Sequence, residues 1–238
     1  MKKGKSVKYI TIAVVLLLSL LFVAKFSGPA ILKFYIESGI GTCSKIPILC
    51  MKPQEQINQP QLNKEYIREL LLYRFPKMTV FLPKGFATVH EKIKKVYYKR
   101  RRKDTGAIIY LLYEEPGFFV NLYPDVKKQG VLDNYEFIRR TMYASINEIK
   151  GLTDAFFVIM KGIFIPDLSE QTDVKMAQVT IGEKRGFINY NLGKKDSYFD
   201  CNVLTKEGDF FKIYIKDRGA TLDLNKVLTI ISTIERVS

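Results

Sequence analysis

Apolar and polar residues are distributed unevenly along the chain, and the most uneven stretch is the N-terminus. The stretch Tyr9–Ala24 reads YITIAVVLLLSLLFVA, without a charge, and Phe26 continues it after Lys25. Because about eighteen helical residues rise about 27 Å, this run is just long enough to cross the core of a bilayer. The pattern predicts a basic N-terminus over 1–8 and a transmembrane helix over 9–26.

Two interpretations of this N-terminus remain open. A cleaved signal peptide has a similar basic start and apolar run, but the small residues Gly28 and Ala30 flank Pro29, which is unfavourable for cleavage. The length of the run favours an uncleaved signal-anchor. Four lysines precede the run, against Lys25 and Lys33 shortly after it, so the N-terminus is expected in the cytoplasm. We therefore expect a single-pass protein of the cell membrane whose C-terminal domain lies outside the cytoplasm.

The rest of the chain alternates between the periods of helices and of strands. Residues 27–62 predict a juxtamembrane helix over Pro29–Ile36, a cysteine pair and a polar linker over Lys52–Gln61. Residues 63–238 predict one soluble α+β domain. Strands are predicted at Met78–Leu82, Lys92–Arg101, Ala107–Glu114, Phe118–Tyr123, Val174–Ile181, Gly186–Leu192, Tyr198–Leu204 and Phe210–Lys216.

Helices are predicted where the apolar positions recur at helical spacing behind a capping residue. These are Lys64–Arg74 behind Asn63, Asp133–Ile149, and a final helix behind Asp223. Ala155–Ile165 fits a buried strand and a buried helix equally well. Since the strands are joined by short turns, the predicted fold class is α+β, with an N-terminal transmembrane helix followed by an antiparallel sheet sandwiched by helices.

The order of these elements resembles the PsbP-like α/β/α sandwich. The resemblance is carried by FLPKGF at Phe81–Phe86, the hairpin, the helix, the four-strand meander containing RGFINYNL, and the final helix LDLNKVLTIISTI. It covers Met78–Ser238 and implies a PsbP-like fold with an accessory or binding role rather than an enzymatic one. No functional residue is carried over, because no functional motif of that family is matched.

The cysteines bear on the compartment of the folded part. Cys43 and Cys50 bracket six residues rich in turn formers, so a short-loop disulfide is plausible and agrees with export. Two unpaired thiols are the alternative, and a zinc site is disfavoured because His90 is the only histidine and lies far away. Cys201, in SYFDCNVL, falls on the core face of a predicted strand. No metal site is predicted.

Charge suggests a second kind of partner. The formal net charge is +14, and the sharpest local feature is the basic run KIKKVYYKRRRK at Lys92–Lys103. Its basic residues are a candidate anion-binding site on a hairpin, which would face anionic lipid or acidic glycan. The alternative is a solvated edge hairpin whose lysines block wrong pairing. The candidate residues are Lys92, Lys94, Lys95, Lys99, Arg100, Arg101, Arg102 and Lys103.

Motifs for catalysis are weak. The chain has no Gly-rich phosphate loop, nucleophile elbow or HExxH motif, and the spacing of Glu114, Glu115, Asp167 and Glu170 does not demand acid–base chemistry. No cofactor is expected. We expect a membrane-tethered, extracytoplasmic and non-catalytic interaction or accessory module of the cell envelope, with the membrane and a protein as partners. A binder of anionic lipid or acidic glycan is the second hypothesis and an enzyme of unknown type the third. Nucleic acid is not expected as a partner of an exported domain.

Overall fold

A mixed sheet of eight strands forms the middle layer of the protein. The computed structural model describes residues 27–88, 97–102, 107–165, 173–193 and 195–237. The strands are β1 (Glu55–Asn58), β2 (Leu70–Arg74), β3 (Met78–Pro83), β4 (Phe86–Thr88), β5 (Tyr97–Arg102), β6 (Ile108–Glu114), β7 (Lys175–Ile181), β8 (Lys184–Leu192), β9 (Asp196–Leu204), β10 (Phe210–Arg218) and β11 (Glu235–Arg236). The helices are α1 (27–39), α2 (Lys64–Glu69), α3 (Phe118–Leu122), α4 (Asn134–Tyr143), α5 (Leu152–Phe164) and α6 (Leu224–Ser232).

The strand order of the large sheet is β1-β7-β8-β9-β10-β6-β5-β4. The strands β7 to β10 form an antiparallel meander, as their alternating pattern predicts, and β1 pairs with β7 in parallel, with Ile57 opposite Val179. At Gly186 in β8, an added Cβ would lie 2.7 Å from the Cα of Val203 in β9. A side chain at Gly186 would therefore push the two central strands apart.

One face of the large sheet packs against a small sheet and a helix. The small sheet has the order β11-β3-β2, and α6 lies beside it on the same face. Both layers bury aliphatic side chains, because the apolar stripe of α6 and the alternate positions of β3 face the large sheet. This first core includes Met78, Val80, Leu82, Ile188, Phe199, Cys201, Ile213, Val227 and Ile231.

The opposite face of the large sheet is covered by a helical layer made of α3, α4 and α5. The chain ahead of β1 belongs to the same core, because Ile36 of α1 and Ile48 and Leu49 of a short 3₁₀ helix are buried against it. Aromatic side chains dominate this second core, where the ring of Phe119 stacks on that of Phe137 at 5.1 Å. The helical layer is thus fixed to the sheet through a second, independent core.

The protein is α+β, as predicted, but the predicted fold class is wrong in two respects. The sheet is mixed rather than antiparallel, because β1 runs parallel to β7. β1 lies within the predicted linker Lys52–Gln61, where Ile57 is the only apolar residue of the strand and gives almost no alternation. Within the described ranges, no helix is long and apolar enough to cross a membrane, so the predicted transmembrane helix is not supported. The predicted span over 9–26 and the basic N-terminus over 1–8 lie outside those ranges.

Two predicted elements differ in type from those observed. Phe118–Tyr123, predicted as a strand, contains α3, because a helix here carries Phe119 into the aromatic core. The predicted helix Lys64–Arg74 ends at Glu69, and β2 follows because it pairs with β3. In both cases tertiary contacts override the local preference of the sequence.

The predicted capping residues are confirmed. Asn63, Asp133 and Asp223 each accept a hydrogen bond from a backbone N–H three residues later, at 2.7 to 2.9 Å. These three bonds fix the starts of α2, α4 and α6. The ambiguous segment Ala155–Ile165 is helical and belongs to α5.

Candidate interaction surface

Helix α5 is apolar on nearly its whole circumference, which is unusual for a helix at a protein surface. Its sequence LTDAFFVIMKGIF holds two charged residues, Asp154 and Lys161. Asp154 lies in the first turn and accepts a hydrogen bond from the backbone N–H of Lys150 at 2.8 Å. The buried face of α5 packs on the second core through Ala155, Phe157, Val158, Met160 and Phe164.

The opposite face of α5 carries an open stripe of large apolar side chains. Leu152 is 76% exposed, Ile159 40% and Ile163 67%, and Phe156 between them is partly exposed. The four positions are spaced by four, three and four residues, so they lie on one narrow line along the helix. We call Leu152, Phe156, Ile159 and Ile163 the α5 stripe.

A concave, mainly apolar surface adjoins the N-terminal end of the α5 stripe. The concavity has a volume of about 530 Å³ and lies between α5, the end of α3 and a 3₁₀ helix at Pro124–Gln129. The ring of Tyr123 meets that of Phe156 edge to face at 5.2 Å, and both residues line the concavity. It is lined by Leu122, Tyr123, Pro124, Asp125, Val126, Gln129, Leu152, Thr153 and Phe156. We call it the α3–α5 groove.

Two lysines fix the position of α5 by hydrogen bonds to backbone carbonyl groups. Lys161 is fully buried, and its ammonium donates to the carbonyl oxygens of Met51 at 2.5 Å and Ala144 at 2.9 Å. Ala144 is the C-cap of α4, so the lysine satisfies a carbonyl that the helix leaves unpaired. Burial, helped by the charge of Lys52, lowers the pKa of Lys161 to about 7.

The second lysine belongs to a buried polar network on β8, β9 and β10. Lys212 donates to the carbonyl oxygen of Phe164, the last residue of α5, at 2.5 Å and forms an ion pair with Asp200 at 2.5 Å. Asp200 also accepts hydrogen bonds from the side-chain amides of Asn189 at 3.3 Å and Asn202 at 3.2 Å. Because its charges are paired, the network is suited to fixing α5 on the sheet rather than to acid–base chemistry.

A small polar cleft on the helical layer is also filled with paired charges. It has a volume of about 180 Å³ and is lined in part by Arg139, Arg140 and Glu148. Both arginines bind Glu136, at 2.7 and 2.9 Å, and Glu148 binds Lys52. The hydrogen bonds that both arginines donate to Glu136 lower the pKa of its carboxyl group, the one from Arg139 most strongly. The cleft therefore offers a ligand little unpaired charge.

The predicted anion-binding residues are only partly described. Lys99, Arg100, Arg101 and Arg102 lie on β5, whereas Lys92, Lys94, Lys95 and Lys103 lie outside the described residues. β5 pairs with β6 on one side and with β4 on the other, where Phe86 lies opposite Arg102 and Thr88 opposite Arg100. Arg100, Arg101 and Arg102 therefore have a neighbouring strand on each side.

The predicted disulfide between Cys43 and Cys50 is confirmed, with Cα atoms 5.7 Å apart. The hydroxyl of Ser145 donates to the carbonyl oxygen of Cys50 at 3.3 Å and ties the loop to the helical layer. Cys201 is buried as predicted, and burial, with the charge of Asp200, raises the pKa of its thiol well above the usual range. This thiol is therefore a core side chain rather than a nucleophile.

The acidic residues considered for catalysis do not form a described pair with a base. Burial, and then the charge of Glu115, raises the pKa of Glu114 to about 7. Asp167 and Glu170 lie outside the described residues. Over the described ranges, no group of three or more histidine, cysteine, aspartate or glutamate side chains could hold a metal ion.

The α5 stripe is the surface that the sequence pattern misses. Leu152 precedes the ambiguous segment, and the apolar residues on both faces of α5 hide the four-three-four spacing. A signal exists, since this spacing is the repeat expected of a helix that packs on another helix. It becomes visible only when the buried face of α5 is known.

Comparisons with known proteins leave the chain without an assigned family. No protein-family model and no curated protein matches it. This chain is similar to a crystal structure of a Bacteroides thetaiotaomicron protein, at 8% identity and a TM-score of 0.33. The match covers 68% of this chain and 45% of the chain of that protein. The chain therefore spans less than half the length of that protein, and a likeness of this size carries no argument. The resemblance to the PsbP-like sandwich stays a prediction.

Proposed function

We propose that the protein is a non-catalytic interaction module of the cell envelope that binds a partner protein through the α5 stripe. The exposure of this stripe is the observation that carries the proposal. Leu152, Ile159 and Ile163 lie on a helix whose Lys161 and whose last carbonyl group both form hydrogen bonds with the rest of the protein, and exposed apolar patches often mark interaction sites. The adjoining α3–α5 groove adds a concave apolar surface of the kind that anchors a partner side chain.

The disulfide supports a location outside the cytoplasm. Disulfides such as Cys43–Cys50 persist in oxidising compartments and are rare in the cytosol. The hydrogen bond from Ser145 to the carbonyl oxygen of Cys50 connects the disulfide loop to the helical layer that carries the interaction surface. Export and binding are therefore two parts of the same proposal.

Site-specific photo-crosslinking in intact cells tests this function. A photoreactive residue replaces Leu152 in one variant and Leu132 in another, because the two side chains are equally exposed, at 76% and 74%, and Leu132 does not line the groove. We expect a photoreactive residue at position 152, and not at position 132, to yield an adduct with another protein. That protein should bind the purified chain and should bind the Leu152→Ser variant less tightly. Equal yields at both positions, or no protein adduct, would contradict the proposal.

The basic strand supports a second candidate function, the binding of an anionic lipid surface or acidic glycan. Four consecutive basic residues, from Lys99 to Arg102, lie on β5, and at the three arginines β5 has a neighbouring strand on each side, so these charges are not needed to block pairing. A basic run of this kind gains about 1 kcal/mol per residue at an anionic membrane.

A triple change of Arg100, Arg101 and Arg102 to glutamine tests this second function. We expect it to abolish cosedimentation with vesicles that contain anionic lipid at low salt, while Lys64→Gln, Lys84→Gln and Lys175→Gln, which remove as much charge elsewhere, leave most of it. Binding that survives in the arginine variant would show that this strand is not the site.

A further inference from the structure

The spacing of the α5 stripe defines the shape of the partner segment. The intervals of four, three and four residues between Leu152, Phe156, Ile159 and Ile163 match the seam of a helix that packs lengthwise on another helix. A strand or a loop would not follow such a line, because its side chains repeat at other distances. The thirteen residues of α5 span about 20 Å, enough for three turns of a partner helix.

The groove indicates where the partner helix begins or ends. The α3–α5 groove adjoins Leu152, the first residue of the stripe, and Leu122 stands at its rim with more than half of its surface exposed. A large apolar side chain at one end of a helix on the stripe would fall into this concavity. The stripe and the groove thus form one continuous surface for an amphipathic helix.

Charge decides which helix fits best. The charged residues beside the groove and the start of α5 are Lys127, Lys128 and Lys150, against Asp125, which pairs with Lys128 at 2.8 Å, and Asp154 in the first turn of α5, so the local balance is positive. The chain as a whole carries a net charge of +14. Two copies of the chain would therefore repel each other, whereas a helix with acidic residues along its flanks would be attracted.

We propose that the α5 stripe and the α3–α5 groove bind an amphipathic helix of another protein that presents an apolar seam flanked by acidic residues. This inference rests on the proposed interaction function and specifies its partner. The buried contacts of Lys161 and Lys212 keep α5 in place before the partner arrives, so the surface is preorganised.

Two synthetic peptides of about eighteen residues serve as probes for the full-length chain. They share one leucine seam and differ only in their flanks, which are glutamate in one and lysine in the other. Fluorescence anisotropy measures their binding at low and high salt. We expect the glutamate peptide to bind about tenfold more tightly or better at low salt, with the preference shrinking as salt is added.

Matched variants locate the binding site. Leu152→Ser and Ile163→Ser are expected to weaken the binding of the glutamate peptide about tenfold or more. Leu132→Ser, at an equally exposed position, is expected to change the affinity for this peptide less than twofold. Circular dichroism checks that each variant keeps its helices. Equal binding of the two peptides, or equal effects of Leu152→Ser and Leu132→Ser, would overturn the inference.

Other occupants of the surface have distinct signatures. A second copy would give a concentration-dependent dimer that Ile163→Ser dissociates, and a lipid surface would give uptake by zwitterionic vesicles that Ile163→Ser removes. Coverage by residues 1–26 would give a crosslink from position 152 to that segment. Each of these results overturns the inference. If position 152 captures another protein at a segment that is not an acidic amphipathic helix, the inference fails while the proposed function stands.

Discussion

At the residue scale, two lysines, Lys161 on α5 and Lys212 on β10, bind carbonyl groups at the C-terminal ends of helices. Lys161 binds the carbonyl oxygen of Ala144 at the end of α4, and Lys212 binds that of Phe164 at the end of α5. A cation at a helix C-terminus is favoured by the helix dipole and satisfies carbonyl groups that lack an intrahelical partner. In the case of Lys161 the gain is offset by burial, which is why its pKa falls to about 7.

The lowered pKa of Lys161 makes stability depend on pH. Between about pH 7 and 10.5 the unfolded chain binds the proton and the folded chain does not, so the free energy of unfolding rises with pH, by up to about 1.4 kcal/mol per unit. We expect Lys161→Met to remove this rise, as measured by urea unfolding at pH 6.5, 8 and 9.5. The exposed Lys150→Met should keep it. An unchanged pH profile in Lys161→Met would contradict the assignment.

The ion pair of Asp200 and Lys212 predicts strong coupling between the two positions. Asp200→Ala leaves a nearly buried ammonium without its carboxylate and should cost about 3 to 5 kcal/mol of unfolding free energy. Removing Lys212 as well should cost much less than the sum of the two single changes, because no unpaired charge then remains. A double-mutant cycle by urea unfolding measures this coupling, and simple additivity would show that the pair is energetically unimportant.

At the element scale, the sequence predicts best the elements whose signal is local. The meander from β7 to β10 and the starts of α4 and α6 follow from alternation and from the capping residues Asp133 and Asp223. Prediction from the sequence fails where contacts between residues distant in the chain determine the structure. α3 is helical because Phe119 enters the aromatic core, and β1 exists because β7 supplies its hydrogen-bonding partners. The α5 stripe could not be found from the pattern alone, because both faces of α5 are apolar.

The two capping aspartates should contribute similarly to stability. Asp223→Ala and Asp133→Ala each remove the acceptor of a first-turn N–H at 2.7 Å, and each should lower the free energy of unfolding by about 1 kcal/mol. Asp125→Ala is the control, because Asp125 is exposed and forms only a surface pair with Lys128. Chemical denaturation of the three variants gives the comparison. A loss in Asp125→Ala as large as in the other two would contradict the capping argument.

At the scale of the whole molecule, the disulfide loop joins the N-terminal part of the described chain to the helical layer. The loop lies between α1 and β1, and its own residues Ile46, Ile48 and Leu49 are buried in the second core. Ser145 and Lys161 hold the backbone of Cys50 and Met51 from the other side. The disulfide therefore strengthens a connection that packing already makes, rather than replacing a core.

Loss of the disulfide should lower stability without unfolding the protein. The closed loop spans only seven positions along the chain, for which loop entropy gives about 2.5 kcal/mol. The double change Cys43→Ser and Cys50→Ser should lower the free energy of unfolding by about that amount and leave the circular dichroism spectrum intact. A reductant should reproduce the loss in the wild type and change nothing in the variant, since Cys201 is buried. A further loss in the variant would indicate another reducible bond.

The parallel pairing of β1 with β7 has a consequence for biosynthesis. Ile57 emerges from the ribosome long before its partner Val179, and β3 emerges long before its partner β11. At about 5 to 20 residues per second, the first gap alone lasts about 6 to 24 seconds. During this interval β1 has no partner strand, so the large sheet cannot close before β7 has been synthesised.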